Sequence, residues 1–553
     1  MSLDRFRTGE KPSRSLIGEG RREGVGQQSA SPQRSGGVSV DSTSVSLARE
    51  SWESSSAGGN PKAAEQGSQA PETGADAGAV GVLHSSLDVD LQYCERRREP
   101  REDTYSKRGS EAKDAGMAGA TRIVTPDKVR ELQIALYRKA KTAPKHRFWS
   151  LYGEMLREDV LGAALGMQLD KGGAAGVDGE TVESVKADPA RRRRWLEQLR
   201  EELKTKTYRP SPVRRVMIPK RNGGKRPLGI PTVKDRVVQT AVYLLLMPIW
   251  EADFHPHSYG FRPKRRTHQA IDAINQAVRD GYVEIIDADL TKYFDTIPHL
   301  ELMKAVARRV SDGSVLRLIK SWLRAPVVEE DKAGKRRVQP NLSGTPQGGV
   351  ISPLLANIYL NPLDHAVNEQ TQRQARMVRY ADDFVIACRA GSSTGLLARL
   401  KRWLAAKGLT LNETKTRGLN IRQEGMNFLG FHLDWRRGFK GWGYLHVEPS
   451  QASRKALRQR LREVFNHWTQ GQRIKDVVAE ANRVLRGWAG YFHYGNSTKM
   501  MKSLQEYSRT RPRRWLWRKQ ACQRRLWHDY PDEQLHEHYG LYRLPTTAGW
   551  KAR

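Results

Sequence analysis

The chain has 553 residues and a formal net charge of +34, with 95 Lys and Arg against 61 Asp and Glu. Length alone predicts more than one domain, and so one-sided a charge favours a polyanionic partner over a merely well-solvated surface. Nucleic acid is the expected partner, and membrane headgroups are the main alternative. The three cysteines are too few and too scattered for a disulfide framework or a zinc cluster.

Targeting and membrane signals are missing from the sequence pattern. No apolar run approaches the roughly 18 residues of a membrane span. The N-terminus has no apolar signal core, and four acidic residues among the first 23 argue against an organellar presequence. We therefore expect an intracellular, cytoplasmic protein.

Residues 1–120 differ in composition from the rest of the chain. They are rich in Ser, Gly, Ala and Gln, and they hold 16 Lys and Arg against 18 Asp and Glu, so the positive excess lies wholly in residues 121–553. With four aromatic residues and no sustained periodicity, this segment cannot bury enough apolar surface to offset its ordering entropy. The prediction is a disordered extension.

Residues 213–231 alternate apolar and polar side chains on both sides of an Asn-Gly-Gly turn, which predicts a β-hairpin. Lys220 and Arg226 flank the turn on opposite strands. They could clamp a polyphosphate, Arg as a bidentate fork and Lys as a point charge. Two solvated surface residues are an equally good interpretation of the pattern.

Two acidic segments follow apolar β-type runs. A buried strand at 283–286 leads into Asp287, Asp289 and Asp295, and the stretch MVRYADDFVIAC, residues 377–388, places Asp382 and Asp383 at a tight hairpin. Acids at strand ends are common loop residues. Adjacent carboxylates nevertheless repel each other, so the hairpin pair is expected to face positive charge.

A pair of divalent cations would supply that charge. Two-metal catalysis needs several carboxylate oxygens around two cations roughly 3.5–4 Å apart. Asp289 would meet Asp382 and Asp383 if their strands share a sheet. A Tyr-x-Asp-Asp motif alone is weak support, because it occurs by chance in about one chain in twenty of this size.

Eight motifs in a fixed order give a far more specific signal, across about residues 150–435. The chain resembles the reverse transcriptase and maturase encoded by bacterial and organellar group II introns. The matching motifs are GGAAGVDG, IPKRNGGKRPLGIP, SYGFRPKRRTHQAI, IIDADLTKYFDTIPH, GTPQGGVISPLLANIYL, RYADDFVIAC, LTLNETKT and FLGFHL.

The resemblance implies an α+β fold of the right-hand polymerase type, with fingers, palm and thumb. It also implies a C-terminal helical maturase region, which here follows the disordered N-terminal extension. Asp289, Asp382 and Asp383 match the catalytic aspartates of the family, which hold two Mg²⁺ ions for nucleotidyl transfer. The implied activity is RNA-directed DNA polymerase.

Further residues match substrate-binding positions of the family. Lys220 and Arg226 match fingers residues that hold the triphosphate, and Phe294 matches the bulky group that excludes a ribose 2′-hydroxyl. Gln347 matches a residue that lines the template and nucleotide pocket. Lys415 matches a late lysine that assists pyrophosphate departure, although a loop lysine near phosphates would look the same.

Beyond residue 447 the pattern becomes helical, with apolar stripes at 457–465 and 474–485. The segments 485–495 and 509–525 interleave basic with aromatic residues, a pattern that suits phosphates and unpaired bases of RNA. The predicted organisation is a disordered extension at 1–120, fingers and palm at 121–447, a thumb and maturase domain at 448–510, and a basic, aromatic, nucleic-acid-binding tail at 511–553.

Many members of the family end in an endonuclease with paired cysteines. Here Cys522, His528, His536 and His538 have no such spacing, so we expect no second-strand DNA cleavage by this chain. The N-terminal extension is a second departure from the family pattern. Its composition suggests translation through flanking intron or host sequence.

The expected function is cDNA synthesis from intron RNA, with assistance to splicing and retromobility. Expected partners are group II intron RNA, target DNA and deoxynucleotides, and the expected location is the bacterial cytoplasm near the nucleoid. Two alternatives stay open at this stage: a nonenzymatic RNA-binding splicing factor, and another bacterial reverse transcriptase of the retron or diversity-generating type.

Overall fold

A computed structural model describes residues 126–219, 224–330, 335–371, 373–519 and 527–547. These residues belong to one compact unit, Ala79–Arg553. The extension predicted at 1–120 lies outside the described residues. In the described ranges, no helix is both long enough and apolar enough to cross a bilayer.

The N-terminal region is helical and packs around one long buried helix. Its helices are α1 (Asp127–Thr142), α2 (Leu151–Met155), α3 (Glu158–Lys171), α4 (Val182–Lys186), α5 (Pro189–Lys204) and α6 (Val233–Glu251). Helix α6 is buried on nearly all sides, as expected of a helix surrounded by others. Thr232 caps it by accepting a hydrogen bond from the Asp235 backbone N–H at 3.1 Å.

The first sheet has the strand order β2-β1-β4-β5, with β1 at Val213–Pro219, β2 at Lys225–Ile230, β4 at Val327–Glu330 and β5 at Arg336–Gln339. Strands β1 and β2 pair antiparallel, which confirms the predicted hairpin at 213–231. Strand β4 joins β1 in parallel. Residues 220–223, which include Lys220, lie outside the described residues.

The second sheet has the order β6-β7-β3-β8 and carries the acidic segments. Its strands are β3 (Glu284–Ala288), β6 (Ala375–Tyr380), β7 (Asp383–Cys388) and β8 (Arg417–Asn420). The helices of this region are α7 (Thr267–Arg279), α8 (Tyr293–Thr296), α9 (His299–Ala307), α10 (Gly313–Arg324), α11 (Ser352–Gln370) and α12 (Ser393–Ala406).

Both faces of this sheet are buried. Alternate residues of β7 enter two different cores, Phe384 and Ile386 on one face and Val385 and Ala387 on the other. A strand covered on both faces needs a continuous apolar run in place of alternation, which explains the unbroken FVIAC sequence. The sheet is therefore a rigid base for residues at its strand ends.

The C-terminal region begins with a third sheet, ordered β11-β10-β9, and continues as helices. Its elements are β9 (Met426–Phe428), β10 (Phe431–Arg437), β11 (Gly443–Pro449), α13 (Gln451–Val464), α14 (Ile474–Phe492), α15 (Thr498–Lys519) and a short π-helix (Gln534–His538). The domain boundaries predicted at 447/448 and 510/511 fall inside β11 and α15. The apolar stripes predicted on α13 and α14 are confirmed, since both face the core.

The sequence interpretation of the C-terminal aromatics is wrong for several rings. Trp488, Tyr491, Phe492 and Trp515 are buried in the core of the helical region. A ring enclosed by protein cannot stack on a base. Their spacing among basic residues reflects amphipathic helices, with rings facing the core and charges facing solvent.

Candidate active site

Asp289 and Asp383 stand at facing ends of neighbouring strands. Strands β3 and β7 pair antiparallel, and the last pair of their ladder is Ala288 with Phe384. One step further along this register, Asp289 faces Asp383. Directly opposed residues of an antiparallel pair have Cβ atoms about 4.5–5.5 Å apart, so the register brings two carboxylates together from segments far apart in the chain.

The hairpin turn between β6 and β7 adds the third carboxylate. Tyr380 pairs with Asp383, so Ala381 and Asp382 form a two-residue turn. Ala381 has a φ of 60°, a left-handed conformation that is strained for any residue with a Cβ. Gly260 lies against this turn, and a Cβ at its position would collide with the Ala381 backbone. The turn is thus held closely by the loop that contains Gly260.

A buried arginine fixes the same turn from inside. Arg379 is completely buried and forms a bidentate ion pair with Asp364 of α11, at 2.8 and 2.5 Å. Its Nη1 also donates to the Ala381 carbonyl and to Asn357 Oδ1, each at 2.8 Å. Asn357 in turn donates to the Gly260 carbonyl at 2.8 Å. This Arg379 network connects the turn, helix α11 and the Gly260 loop.

Burial and the charges of neighbouring carboxylates raise the pKa values of several aspartates at this strand end. Burial, reinforced by the charges of Asp382 and Asp289, raises the pKa of Asp383 to about 7. The pKa of Asp382 is also raised, chiefly by burial and further by Asp289. Burial raises the pKa of Asp287, on the same strand as Asp289, to about 6. The cluster therefore favours the binding of protons or cations.

Lys415 supplies one positive charge to this cluster. Its Nζ donates to Asp289 Oδ2 at 2.9 Å, and Asn412 Nδ2 donates to the same oxygen at 3.2 Å. The Asn412 backbone N–H also binds the Asp289 carbonyl at 2.8 Å, so the segment is anchored beside the strand end. The Lys415 side chain is 64% exposed, which leaves its ammonium accessible from solvent.

The three aspartates supply the hard oxygen ligands that a divalent cation prefers, but their side chains do not converge on one point. Among the described residues, no three His, Cys, Asp or Glu side chains are grouped so as to hold one metal ion. The Lys415 ammonium occupies Asp289 Oδ2, an oxygen that a cation could otherwise bind. The raised pKa values of Asp382 and Asp383, caused by burial and then by neighbouring carboxylates, are the electrostatic condition that a cation would relieve.

Phe294 and Gln347 lie in two segments that are tied together. Phe294 makes an edge-to-face contact with Phe261 at 6.2 Å between ring centroids. The Thr345 backbone N–H binds the Phe294 carbonyl at 2.7 Å, and Gln347 Nε2 approaches Asp295 Oδ1 at 3.4 Å. The loop that carries Gln347 is therefore held against the segment that carries Phe294.

The same loop also contacts the first sheet. The Gly229 backbone N–H of β2 donates to the Gln347 carbonyl at 2.5 Å, and a Cβ on Gly348 would collide with the Gly229 carbonyl. Arg226 lies on β2, opposite Ile218. Residues 344–349 thus join the strand of Arg226 to the segment of Phe294, whereas Lys220 lies outside the described residues.

Sequence reasoning missed the Arg379 network. Asn357, Asn361, Asp364 and Asn368 recur at helical spacing in an otherwise apolar helix, which is a detectable polar stripe. Arg379 also interrupts an apolar strand beside the acidic pair, where a buried arginine needs a carboxylate partner. These two signals together could have predicted the contact.

Comparisons with known proteins agree with the geometry. Residues 218–433 match the family model "Reverse transcriptase (RNA-dependent DNA polymerase)", and residues 454–530 match "Group II intron, maturase-specific domain". Protein YkfC of Escherichia coli K12 is 36% identical over 57% of this chain and 90% of its own length.

Other similar proteins are matched over less of their length. Group II intron-encoded protein LtrA of Lactococcus lactis subsp. cremoris is 36% identical over 40% of this chain and 35% of its own. A telomerase structure from Candida albicans, solved with a fragment of telomeric RNA, is 14% identical with a TM-score of 0.36, covering 56% of this chain and 59% of that one.

The raised pKa of Asp383 predicts a pH-dependent stability without divalent cations. Its pKa of about 7 in the folded chain exceeds the unfolded value of about 3.9. The stability that this group contributes is therefore fully present below about pH 4 and is lost as the pH rises through about 7. In EDTA, the free energy of unfolding of Asp383→Asn minus that of the wild type should be more positive at pH 8 than at pH 5. Denaturant unfolding at the two pH values measures this difference.

Asp476→Asn is the matched control for this measurement, because it removes an exposed carboxylate of α14. Its stability difference from the wild type should be the same at pH 5 and pH 8. If the stability difference between Asp383→Asn and the wild type is also the same at pH 5 and pH 8, the proposed electrostatic coupling is contradicted.

The Arg379 network predicts a large stability loss on removal of its acid. Asp364→Asn leaves the Arg379 guanidinium buried without its counter-charge, which typically costs about 3–5 kcal/mol. Denaturant unfolding should show this loss. Glu413→Gln is the control, because it breaks the solvent-exposed ion pair with Lys401 and should cost less than about 1 kcal/mol. Similar small losses for both variants would show that the network is not a structural support.

Proposed function

Because the chain belongs to the family of group II intron-encoded reverse transcriptases and maturases, we propose that Asp289, Asp382 and Asp383 carry its RNA-directed DNA synthesis. The chain is an RNA-directed DNA polymerase joined to a maturase domain. The observation that supports the site is the β3–β7 register, which sets Asp289 opposite Asp383. The intron RNA template, the target DNA and deoxynucleotides are part of the proposal.

The three carboxylates would hold two Mg²⁺ ions. Such ions activate the primer 3′-hydroxyl and stabilise charge on the leaving pyrophosphate. The Arg379 network fixes the backbone of the Asp382–Asp383 turn, so these two side chains start from a fixed position. Lys415 competes for Asp289, and once displaced its exposed ammonium can pair with the departing pyrophosphate.

The remaining matched residues would bind the incoming nucleotide. Arg226 and Lys220 would hold the triphosphate, and Phe294 would occupy the space that a ribose 2′-hydroxyl needs. Gln347 would line the pocket beside Phe294, because its loop is bonded to the Phe294 segment. Residues 344–349 contact both β2 and this segment. They would therefore hold the residues that bind the triphosphate at a fixed distance from the residue that contacts the sugar.

The maturase role belongs to the C-terminal region. Residues 454–530, which match the maturase-specific model, would grip the intron RNA and favour its splicing-competent fold. The high positive charge supports a salt-dependent grip on phosphates. Action near the nucleoid of a bacterial cell is also part of the proposal, since target DNA would be engaged there.

Asp382→Asn tests the division between polymerase and RNA-binding roles. The substitution removes a proposed metal ligand and leaves the RNA-binding surface unchanged, so primer extension on an RNA template should fall by at least about 100-fold. Intron RNA affinity, from filter binding, should stay within about twofold. Asp127→Asn, which removes an exposed carboxylate at the start of α1 outside residues 454–530, should leave both measurements unchanged. An equal loss of both activities in Asp382→Asn would contradict this division.

Phe294→Ala tests sugar discrimination. Loss of the ring would leave room for a 2′-hydroxyl, so the ratio of kcat/KM for deoxynucleotides to that for ribonucleotides should fall by at least about tenfold. Phe294→Tyr keeps the bulk and should retain most of the discrimination. If Phe294→Ala discriminates as well as the wild type, Phe294 is not the excluding group.

A further inference from the structure

Strands β10 and β11 end in a tight, regular turn. We define the hairpin tip as residues 436–442, with the sequence RRGFKGW. The Gly438 backbone N–H binds the Trp442 carbonyl at 2.8 Å, and the Gly441 N–H binds the Gly438 carbonyl at 2.9 Å. Gly441 has a φ of 81°, the conformation that closes a three-residue hairpin loop. The tip therefore presents its side chains from a hydrogen-bonded frame.

The base of this hairpin is firmly packed. Leu433 and Val447 belong to the buried core. Trp435 lies over Gly443, where any Cβ would collide with the indole, and Arg422 lies 5.3 Å from the ring centroid of Trp435. The strands below the tip are thus anchored, and the exposure of the tip does not come from loose packing.

The tip exposes large aromatic side chains. Phe439 is fully exposed and has the greatest exposure of any large apolar residue in the described part of the chain; Trp442 is 59% exposed. Trp442 immediately precedes β11, and its ring centroid lies 5.2 Å from that of Tyr444 in the strand. Exposed rings that are grouped on one packed hairpin are better explained by a binding surface than by ordinary surface composition.

The charge of the tip is positive. It contains Arg436, Arg437 and Lys440 and no acidic residue. Arg436 pairs with Asp434 at 2.7 Å, whereas Arg437 and Lys440 have no ion-pair partner within the described ranges. Exposed rings beside available cations match the chemistry of single-stranded nucleic acid, in which bases offer flat faces and phosphates offer negative charge.

We propose that the hairpin tip is a stacking platform for unpaired RNA nucleotides. Phe439 and Trp442 stack on bases, and Arg437 and Lys440 contact the adjoining phosphates. A paired duplex hides its base faces, so the platform prefers unpaired RNA. This inference deepens the proposed function, because RNA is the template and splicing substrate there. It also assigns RNA binding to rings that remain exposed, unlike the buried Trp488 and Trp515.

The test is binding of the full chain to an unstructured 12-nucleotide oligouridylate and to a 12-base-pair RNA duplex. Stacking contributes about 1–3 kcal/mol per base, so Phe439→Ala combined with Trp442→Ala should weaken oligouridylate binding by at least about fivefold and change duplex binding by less than twofold.

Lys440→Gln should reduce the salt dependence of oligouridylate binding by about 0.7 in log–log slope. A 4-thiouridine in the oligonucleotide should crosslink within residues 436–442.

Trp149→Ala is the matched control, because Trp149 is 72% exposed and lies outside both the hairpin tip and residues 454–530; its RNA affinity should equal that of the wild type. Unchanged oligouridylate affinity in the double variant, without a crosslink in the tip, would overturn the proposal. So would an equal loss in Trp149→Ala, or a loss confined to anionic phospholipid vesicles or to self-association. Primer extension by the wild type tests the polymerase separately, so failure of the platform would not be mistaken for failure of the enzyme.

Discussion

The site depends on holding like charges together at the ends of two strands. Asp382 and Asp383 sit on a tight turn whose backbone is bonded to the buried Arg379, and Arg379 is itself neutralised by Asp364. The arginine therefore stabilises the shape of the turn without removing the negative charge that the turn displays. A structural ion pair and a chemically reactive carboxylate cluster can therefore lie side by side at this hairpin.

A second constraint links the cluster to the residues that match nucleotide-binding positions. Gly344 has a φ of 79°, and a Cβ there would collide with the Phe294 carbonyl and the Asp295 backbone. Gly348 makes a comparable close approach to β2. Side chains at either glycine would push apart the strand of Arg226 and the segment of Phe294. These two glycines of the GTPQGG motif thus have a steric reason to be glycine.

The fold and the site differ in how far the sequence reveals them. Alternation and turn residues predict the 213–231 hairpin and the β6–β7 hairpin, because both depend on local pattern. The meeting of Asp289 with Asp383 depends on which strands become neighbours, and the motif order supplied that expectation. Local pattern fails for Trp488 and Trp515, whose basic neighbours suggested RNA contact, because alternation along the chain does not say which helix face is buried. The pairing of Arg379 with Asp364 joins residues 15 positions apart, and the sequence signals it only as an arginine in an apolar strand and a polar stripe on an apolar helix.

Direct measurement of cation binding tests the central claim, that three carboxylates from two segments form one site for two divalent ions. Free Mn²⁺ can be titrated with the full chain and counted by electron paramagnetic resonance, since bound Mn²⁺ loses its sharp signal. The account predicts that the wild type binds two ions, more tightly at pH 8 than at pH 6, and that Asp289→Asn loses at least one of them. Equal Mn²⁺ binding by the wild type and Asp289→Asn would contradict it.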